Sequence, residues 1–463
     1  MGETGFLGGQ QGALLLLQLA SVSALGCAAA AALRRAPESL QPRLPDLVFG
    51  VALLCQLLAL LRLSLQPLDV DVDTAQHAAA LQTVHGLGDV IRLRGVWAAD
   101  YILQGPLVHG LARILAWEPV AVYRLLAYAG ATATALLLRA VARRLGAGPW
   151  AAALAGLFPL CTFGGAWLIL TLDDNAFASA LQWAFFFALL AALTAPDAAA
   201  GKARRWARVL GAGLLLGLAV SMHRKATLWA GIVPLAPLLS ARFRSARALR
   251  ELALVALAAA ISHGLAAGLF LPSGFSSETL PLLVSSAHHQ HTVWWLPAAD
   301  LTLGDHATAV WRGLHATFVS FPVLREEMLR TRGIHYFDVL VGLCVAAGLA
   351  AAWRTRHSPG CRLLATGLGI QSLHSVLYEP LNVERWDMLA GGVGVLVAVA
   401  VSGAPRAWSW AALCLWLTLL ATQHLTLRWH PNHVARQAQV RASVDTAIDA
   451  GAHAGVPRRW RAC

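Results

Sequence analysis

The sequence predicts an all-α, polytopic membrane protein with about twelve transmembrane helices. Of its 463 residues, 57% are hydrophobic and only 13% are charged, which is about half the charged share of an average soluble domain. The mean hydropathy is +0.59, and the apolar residues form runs close to the roughly 20 residues that a membrane-spanning helix needs. Short basic clusters separate these runs, a pattern typical of membrane proteins with a fixed orientation.

The net charge of +12 does not indicate a nucleic-acid partner. The basic residues lie between apolar runs, where anionic lipid head groups are sufficient neighbours. None of the seven cysteines belongs to a CxxC pair, so we expect structural thiols rather than a disulfide framework or a zinc site. Residues 1–11 contain an acid and no base, so the first apolar run is expected to be a retained helix rather than a cleaved signal peptide.

Apolar runs define the predicted spans, and basic clusters define their orientation. Arg or Lys residues follow every odd-numbered span, so these connections are predicted to be cytoplasmic. We divide the chain into an N-terminal helix with its cytoplasmic connection (1–46), a transmembrane core (47–271), an outer loop (272–335), C-terminal transmembrane helices (336–424) and a short outer tail (425–463). The predicted spans are 12–33, 47–65, 119–138, 149–170, 176–194, 209–222, 226–239, 252–271, 336–353, 363–378, 387–402 and 408–424.

The other set of connections carries most of the acids. It comprises residues 66–118, 173–175, 223–225, 272–335 and 378–387. Charged residues at membrane-embedded helix ends are costly and usually serve a site. This one-sided distribution predicts an active site or a substrate pathway that opens on the extracytoplasmic face, although outer loops without a basic excess would give a similar pattern.

The first outer loop begins with three acids at alternate positions, Asp69, Asp71 and Asp73, which lie on one side of an extended segment. They suit a general base or a metal-binding cluster, and a helix cap followed by a solvated loop is the alternative. Further along, residues 100–117 are too polar at their start to span the membrane. This stretch predicts an interfacial helix, with Trp117 at the head-group level.

Several short motifs follow one another over roughly residues 47–240. They are Asp71 and Asp73 followed by His85-Gly86-Leu87-Gly88-Asp89, then Tyr101 with Gly105-Pro106-Leu107, Ala142-Arg143-Arg144-Leu145-Gly146, Leu172-Asp173-Asp174-Asn175, and a Gly- and Leu-rich span ending near Lys225. In this order they resemble the C superfamily (GT-C) of lipid-phosphate-sugar-dependent glycosyltransferases, in particular the protein O-mannosyltransferase and aminoarabinose transferase group. Two positions depart from the pattern. Val70 and Val72 separate acids where the family has an adjacent pair, and Gln104 stands where a basic residue is usual.

The resemblance implies a GT-C-like bundle that catalyses an inverting transfer of a hexosyl or pentosyl group. The donor would be a polyisoprenyl-phosphate sugar, and the acceptor a glycan, lipid or protein. Asp71 or Asp73 is the expected catalytic base for the acceptor hydroxyl. The resemblance also implies a multi-pass cell-membrane protein with an extracytoplasmic active face, and we expect a bacterial inner membrane. The candidate substrate-binding residues are Asp69, His77, Tyr101, Asp173, Asp174, Arg224, Lys225, Glu379, Glu384 and Arg385.

Three cations, Arg224, Lys225 and Arg385, are expected to stabilise the departing lipid phosphate. Glu379, Glu384 and Arg385 could instead pair with one another and hold their turn together. No cofactor is firmly implied. The acids of the first outer loop suit a divalent metal, but the resemblance does not require one.

Two hypotheses from other classes are also consistent with this sequence. A transporter or flippase of a lipid-linked substrate would use an outward-facing cavity with paired charges, but the two halves of the chain show no repeat of the kind common in transporters. A structural partner of an envelope-assembly complex, related to the enzymes but with a decayed site, would explain the separated acids and Gln104.

The orientation can be tested by cysteine-accessibility labelling in intact cells. We expect an Asp73→Cys variant to be labelled from outside and an Arg204→Cys variant to be protected, because the positive-inside rule places the two residues on opposite faces. Protection of the first position together with labelling of the second would reverse the predicted orientation.

Overall fold

The computed structural model describes residues 43–64, 78, 81–82, 102–170, 175–194, 202–270, 303–319, 336–377 and 386–428. Throughout these ranges the regular structure is helical, without a strand. The α-helices are α1 (Leu44–Ser64), α2 (Gln104–Leu115), α3 (Pro119–Arg144), α4 (Pro149–Cys161), α5 (Phe163–Leu170), α6 (Asn175–Thr194), α7 (Lys202–Met222), α8 (Thr227–Ala230), α9 (Ile232–Leu239), α10 (Ala246–Phe270), α11 (Leu303–Phe318), α12 (Tyr336–Arg354), α13 (Pro359–Leu377), α14 (Asp387–Ser402) and α15 (Arg406–Arg428).

The predicted all-α membrane class is confirmed, but the predicted number of spans is not. Within the described residues, five helices are long and apolar enough to cross a membrane, and the bent pair α4–α5 makes a sixth. The predicted span 12–33 lies outside the described residues. The helices α12 to α15 occupy the positions predicted for the last four spans, but none of them is both long and apolar enough to be counted.

The central helix is α14, which is buried along most of its length. The three glycines of its Gly391-Gly392-Val393-Gly394 sequence have no side chains, which lets neighbouring helices approach closely at this point. A Cβ atom at Gly394 would come within 2.9 Å of the Phe158 side chain, and one at Gly391 within 3.1 Å of Leu138. Close packing against α3 and α4 therefore fixes the position of Asp387, the first residue of α14.

Helices α7 and α10 run side by side in the same direction. Gly213 and Gly217 form a GxxxG motif on α7, and a Cβ atom at either glycine would lie 2.6 Å from a backbone carbonyl oxygen of Val255 or Ala259 on α10. Small residues at this spacing let transmembrane helices approach closely. The pair remains in contact as far as Ser221, in the last turn of α7.

The helix ends fall into two groups. At one end, which we call the arginine-rich end, Arg144 donates to the Ala191 carbonyl oxygen, Arg205 pairs with Glu251, and Arg354 donates to the Gly403 carbonyl oxygen. At the opposite end, which we call the site end, α6 and α14 begin and α7 stops. This separation follows the alternation of basic and acidic connections in the sequence.

The predicted helix within residues 100–117 is present as α2, which at 12 residues is too short to span a bilayer. Its first half is buried, and Val108 packs against Val122 and Tyr123 of α3. Its second half exposes Ile114 with 79% of its surface accessible. The Leu103 N–H donates to the Ser221 carbonyl oxygen over 2.9 Å, so the start of α2 is attached to the site end of α7.

The predicted outer loop 272–335 contains a helix, α11, that composition did not reveal. Asp338, near the start of α12, accepts hydrogen bonds from Trp311 Nε1 over 2.7 Å, and His315 Nε2 lies 2.9 Å from the same carboxylate oxygen. Phe318 and Val319 are buried against Leu340 and Val341. These contacts join α11 to the bundle at the first turns of α12.

The break between α4 and α5 is held by two amide side chains. The two helices meet at an angle of 59° across Thr162, whose carbonyl oxygen accepts from the Ala166 N–H of α5 over 3.2 Å. Gln423 Nε2 donates to the carbonyl oxygens of Leu160 and Thr162 over 2.9 and 2.6 Å, and Gln56 Nε2 donates to the Leu160 oxygen over 2.8 Å. Non-helical backbone at membrane depth is tolerated only where such partners exist.

We predict that Gln423→Leu lowers the stability of the bundle by about 0.5–1.5 kcal/mol. It removes one donor from each of the Leu160 and Thr162 carbonyl oxygens, which keep the Gln56 side chain and the Ala166 N–H as their other donors. Thermal unfolding of the purified protein in detergent would measure the loss. Thr422→Val, at the neighbouring position, is the matched control, since the Thr422 hydroxyl donates to the Thr418 carbonyl oxygen of its own helix. Equal stability of the two variants would show that the Gln423 amide does not hold the break.

Candidate functional site

Five polar side chains from four parts of the bundle meet at the site end. We call this group the Lys225 cluster; it consists of Asn175, Ser179, Lys225, Gln371 and Asp387. Lys225 and Asp387 are the charged members, and each side chain is only 2% exposed. Burial of a charge is costly without a partner, so the contacts within this cluster stabilise the bundle.

The turn that follows α7 presents Lys225 to the interior. After Met222 the chain forms a 3-10 helix over Arg224–Ala226, and the His223 side chain accepts a hydrogen bond from the Lys225 backbone N–H. The Lys225 Nζ atom lies 2.9 Å from Asp387 Oδ2 and 2.8 Å from Asn175 Oδ1. The turn therefore connects α7 to the first residues of both α6 and α14.

Asp387 accepts hydrogen bonds at both carboxylate oxygens. Oδ1 accepts from Gln371 Nε2 over 2.8 Å and from the Met388 backbone N–H over 2.7 Å. Oδ2 accepts from Lys225 Nζ and from the Ser179 hydroxyl. The carboxylate also lies at the N-terminus of α14, where the helix dipole favours a negative charge. These donors hold the Asp387 carboxylate in a fixed orientation.

Aromatic rings separate the cluster from the centre of the bundle. The ring centroids of Trp183 and Phe186 lie 5.4 and 5.6 Å from that of Trp229. Trp229 Nε1 in turn donates to Gln371 Oε1 over 2.7 Å. Trp229 therefore joins the aromatic rings of the bundle interior to Gln371 of the cluster.

An apolar groove begins beside the same turn. It has a volume of about 620 Å³ and lies between α7, α8–α9 and α10. Thr227 and His263 are the polar side chains among its described lining residues, and Pro237, Leu249 and Leu252 line the far part. Thr227 directly follows the basic turn, so the polar part of the groove lies at the site end and its apolar part extends toward the arginine-rich end.

Of the residues that the sequence nominated, the structure describes two. Lys225 is in the cluster, paired with Asp387, and Arg224 is partly buried in the same turn. Both catalytic candidates and the other nominated side chains lie outside the described residues. Two of them are close in sequence to members of the cluster: Asp174 immediately precedes Asn175, and Arg385 precedes Asp387 by two positions. The nominated residues outside the described ranges are Asp69, Asp71, Asp73, His77, Tyr101, Asp173, Asp174, Glu379, Glu384 and Arg385.

Sequence reasoning did not nominate Asp387, Ser179 or Gln371. Asp387 was noticed only as the end of an outer turn, because an acid in the first turn of a helix is usually explained by the helix dipole. The sequence does contain a signal for the other two residues. Ser179 and Gln371 are isolated polar residues within apolar spans, and such residues often hydrogen-bond to neighbouring helices.

The described residues contain no group of three His, Cys, Asp or Glu side chains that could hold a metal ion. The acids of the first outer loop, which suit a divalent cation, lie outside these residues.

The architecture is that of a polytopic helical membrane protein with a charged cluster at one end of its bundle and an apolar groove beside it. No protein-family model matches the sequence, and no curated protein matches it. Solved structures do match the fold. ArnT from Cupriavidus metallidurans bound to undecaprenyl phosphate aligns with a TM-score of 0.55 and 12% identity, over 88% of this chain and 77% of ArnT.

A second match is the archaeal oligosaccharyltransferase AglB from Archaeoglobus fulgidus, in complex with an inhibitory peptide and a dolichol-phosphate. It aligns with a TM-score of 0.50 and 14% identity over 84% of this chain, which spans only 56% of the AglB chain. Both proteins are glycosyltransferases of the GT-C type. The GT-C resemblance noted in the sequence is thereby confirmed for the fold.

We predict that Lys225→Met and Asp387→Asn each lower the stability of the bundle by about 3–5 kcal/mol, because either change leaves one buried charge without its partner. The double variant should be less destabilised than the sum of the two, since it removes both charges. Unfolding of the purified variants would measure these losses. Arg224→Met, in the same turn but only partly buried, is the control. Strict additivity of the two single changes would contradict the pairing.

Proposed function

We propose that the chain is a membrane glycosyltransferase. It takes a sugar from a polyprenyl-phosphate-linked donor and transfers it to an envelope or protein acceptor on the extracytoplasmic face. The observation that carries the proposal is the position of the Lys225 cluster. It fixes the basic turn beside an apolar groove, an arrangement that suits a donor with an anionic head and a long apolar tail.

The cluster also supports the proposal through the segments that adjoin it. Asn175 and Asp387 are the first residues of α6 and α14, and the nominated turns at 173–174 and 379–385 directly precede these helices. Because the cluster brings together the starts of both helices and the basic turn, we expect the nominated residues that precede these helices in the sequence to lie near it. A catalytic site needs this kind of rigid support for groups contributed by distant parts of a chain.

The chemistry follows from the charges. A carboxylate, for which we nominate Asp71 or Asp73, takes the proton of the acceptor hydroxyl. The acceptor oxygen then forms a bond to the anomeric carbon while the bond from that carbon to the lipid phosphate breaks. Attack from the face opposite the phosphate inverts the anomeric centre. The phosphate leaves with the bonding electron pair, and cations stabilise its developing charge.

We propose two roles for the basic turn within this scheme. The charge of Lys225 is balanced by Asp387 at 2.9 Å, so we assign Lys225 to anchoring the turn. We assign the phosphate contact to Arg224, whose guanidinium suits phosphate oxygens, together with Arg385. The nominated residues Asp69, His77, Tyr101, Asp173, Asp174, Glu379 and Glu384 are proposed to contact the sugar or the acceptor.

The groove fits the lipid part of the donor. Its lining is apolar apart from Thr227 and His263 at the site end, so an amphiphile would place its head at the basic turn and its tail along α7 and α10. The two neighbouring structures support this substrate class, since ArnT is bound to undecaprenyl phosphate and AglB to a dolichol-phosphate. They give no comparable support to a transporter, and a bacterial inner membrane remains our proposed location.

We predict that Asp71→Asn together with Asp73→Asn abolishes sugar transfer without loss of membrane insertion, because the amides cannot accept the acceptor's proton. Transfer would be measured with membranes of cells that express the variant, supplied with a polyprenyl-phosphate sugar pool. Gln82→Ala is the control, since Gln82 is an exposed helical residue outside the nominated set. Full transfer by the double variant would remove these acids from the mechanism.

We also predict that Arg224→Met lowers transfer at least tenfold while the protein remains folded, because a hydrogen bond to a charged group is worth about 1.5–3 kcal/mol. Arg224→Lys should recover part of the rate, since it restores the charge but not the planar fork. Unchanged transfer by Arg224→Met would assign the phosphate contact to another cation.

A further inference from the structure

One polar contact at the groove has no role in the scheme above. His263 on α10 lies with Nδ1 2.9 Å from the Ser221 hydroxyl oxygen, at the end of α7. His263 is also the one titratable side chain among the described residues that line the groove. A histidine is a costly choice for the wall of an apolar groove within a membrane bundle, so its presence needs a reason.

The hydrogen bonds of Ser221 define how the imidazole is oriented. The Ser221 hydroxyl donates to the Gly217 carbonyl oxygen over 2.8 Å. Since a hydroxyl has a single hydrogen, the bond between Ser221 and His263 must use the hydrogen on Nδ1. The second ring nitrogen, Nε2, is then the group that His263 can offer to a molecule in the groove.

The position of this contact in the bundle is defined by α2 and the basic turn. The Leu103 N–H, at the start of α2, donates to the Ser221 carbonyl oxygen. Ser221 precedes Arg224 by three residues, so the contact between Ser221 and His263 lies at the end of α7, beside the basic turn.

We propose that His263 binds the phosphate of the lipid whose tail occupies the groove, with Ser221 as the residue that positions its ring. The inference rests on the proposed function for the identity of that lipid, a single-chain isoprenoid phosphate. A phosphate monoester meets Nε2 in either protonation state. The neutral nitrogen accepts the hydrogen of a P–OH group, and the protonated nitrogen donates to a P–O⁻ oxygen. An alcohol of the same chain length has no second oxygen to bind Arg224 at the same time.

The test compares binding of undecaprenyl phosphate and undecaprenol to the full-length protein in detergent micelles, measured by native mass spectrometry. We expect the wild-type chain to prefer the phosphate. His263→Ala should reduce that preference roughly tenfold, as loss of one charge-assisted hydrogen bond implies, with little change in affinity for the alcohol. His263→Gln, which keeps an N–H donor, should retain part of the preference and shows whether the site tolerates substitution.

Ala256→Phe is the matched groove variant, because Ala256 is exposed on the groove wall and a larger side chain there obstructs the tail. It should weaken both ligands equally. An equal loss of both ligands in His263→Ala, or no loss, would overturn the inference, since His263 would then only line the groove. Equal competition by phosphatidylglycerol would also overturn it, by showing a general phospholipid site.

The outcomes separate this inference from the proposed function. If the wild-type chain prefers the phosphate and His263→Ala keeps the preference, only the role of His263 fails. If the wild-type chain shows no preference for the phosphate, the inference fails together with the lipid part of the proposed function. Sugar transfer and its dependence on Asp71 and Asp73 would still report on the reaction itself.

Discussion

The buried pair of Lys225 and Asp387 determines the organisation of the rest of the site. Neither charge could remain in the apolar interior alone, so the turn after α7 and the start of α14 must meet. Asn175, Ser179 and Gln371 complete the hydrogen bonds of the pair, which adds α6 and α13 to the same point. One electrostatic requirement thus sets the relative height of four helices. The glycines of α14 allow this helix to approach its neighbours closely enough for the contacts to form.

The elements of the fold were largely predictable, because they depend on local sequence. The length of an apolar run and the basic residues that follow it predicted α14 at 387–402 and α12 to within one residue. The break within the predicted span 149–170 was not predicted. Pro159 and Gly164-Gly165 are present at that point, but the bend also depends on Gln56 and Gln423, which no local pattern associates with it.

The candidate site was predictable only in part, for a related reason. The basic turn at 223–225 was evident because charges interrupt an apolar sequence. Its partner was not, because Lys225 and Asp387 are separated by 162 positions and several acids at the same membrane face were equally plausible. A sequence pattern defines which residues share one face of a helix, whereas the choice between partners on other helices depends on packing. The groove also depends on packing, since it arises from the spacing of three helices and from the small residues between them.

The hydrogen bonds at the break between α4 and α5 have a consequence for biogenesis. Helices are inserted in the order of synthesis, and Gln423 follows Leu160 by 263 positions. The carbonyl groups of Leu160 and Thr162 therefore enter the bilayer long before Gln423, the side-chain donor that they share, has been made. The final bend of α4 and α5 can form only after α15 has been inserted. Until then the nascent chain contains an incompletely paired polar defect, a feature by which membrane chaperones and proteases could distinguish unfinished chains from mature protein.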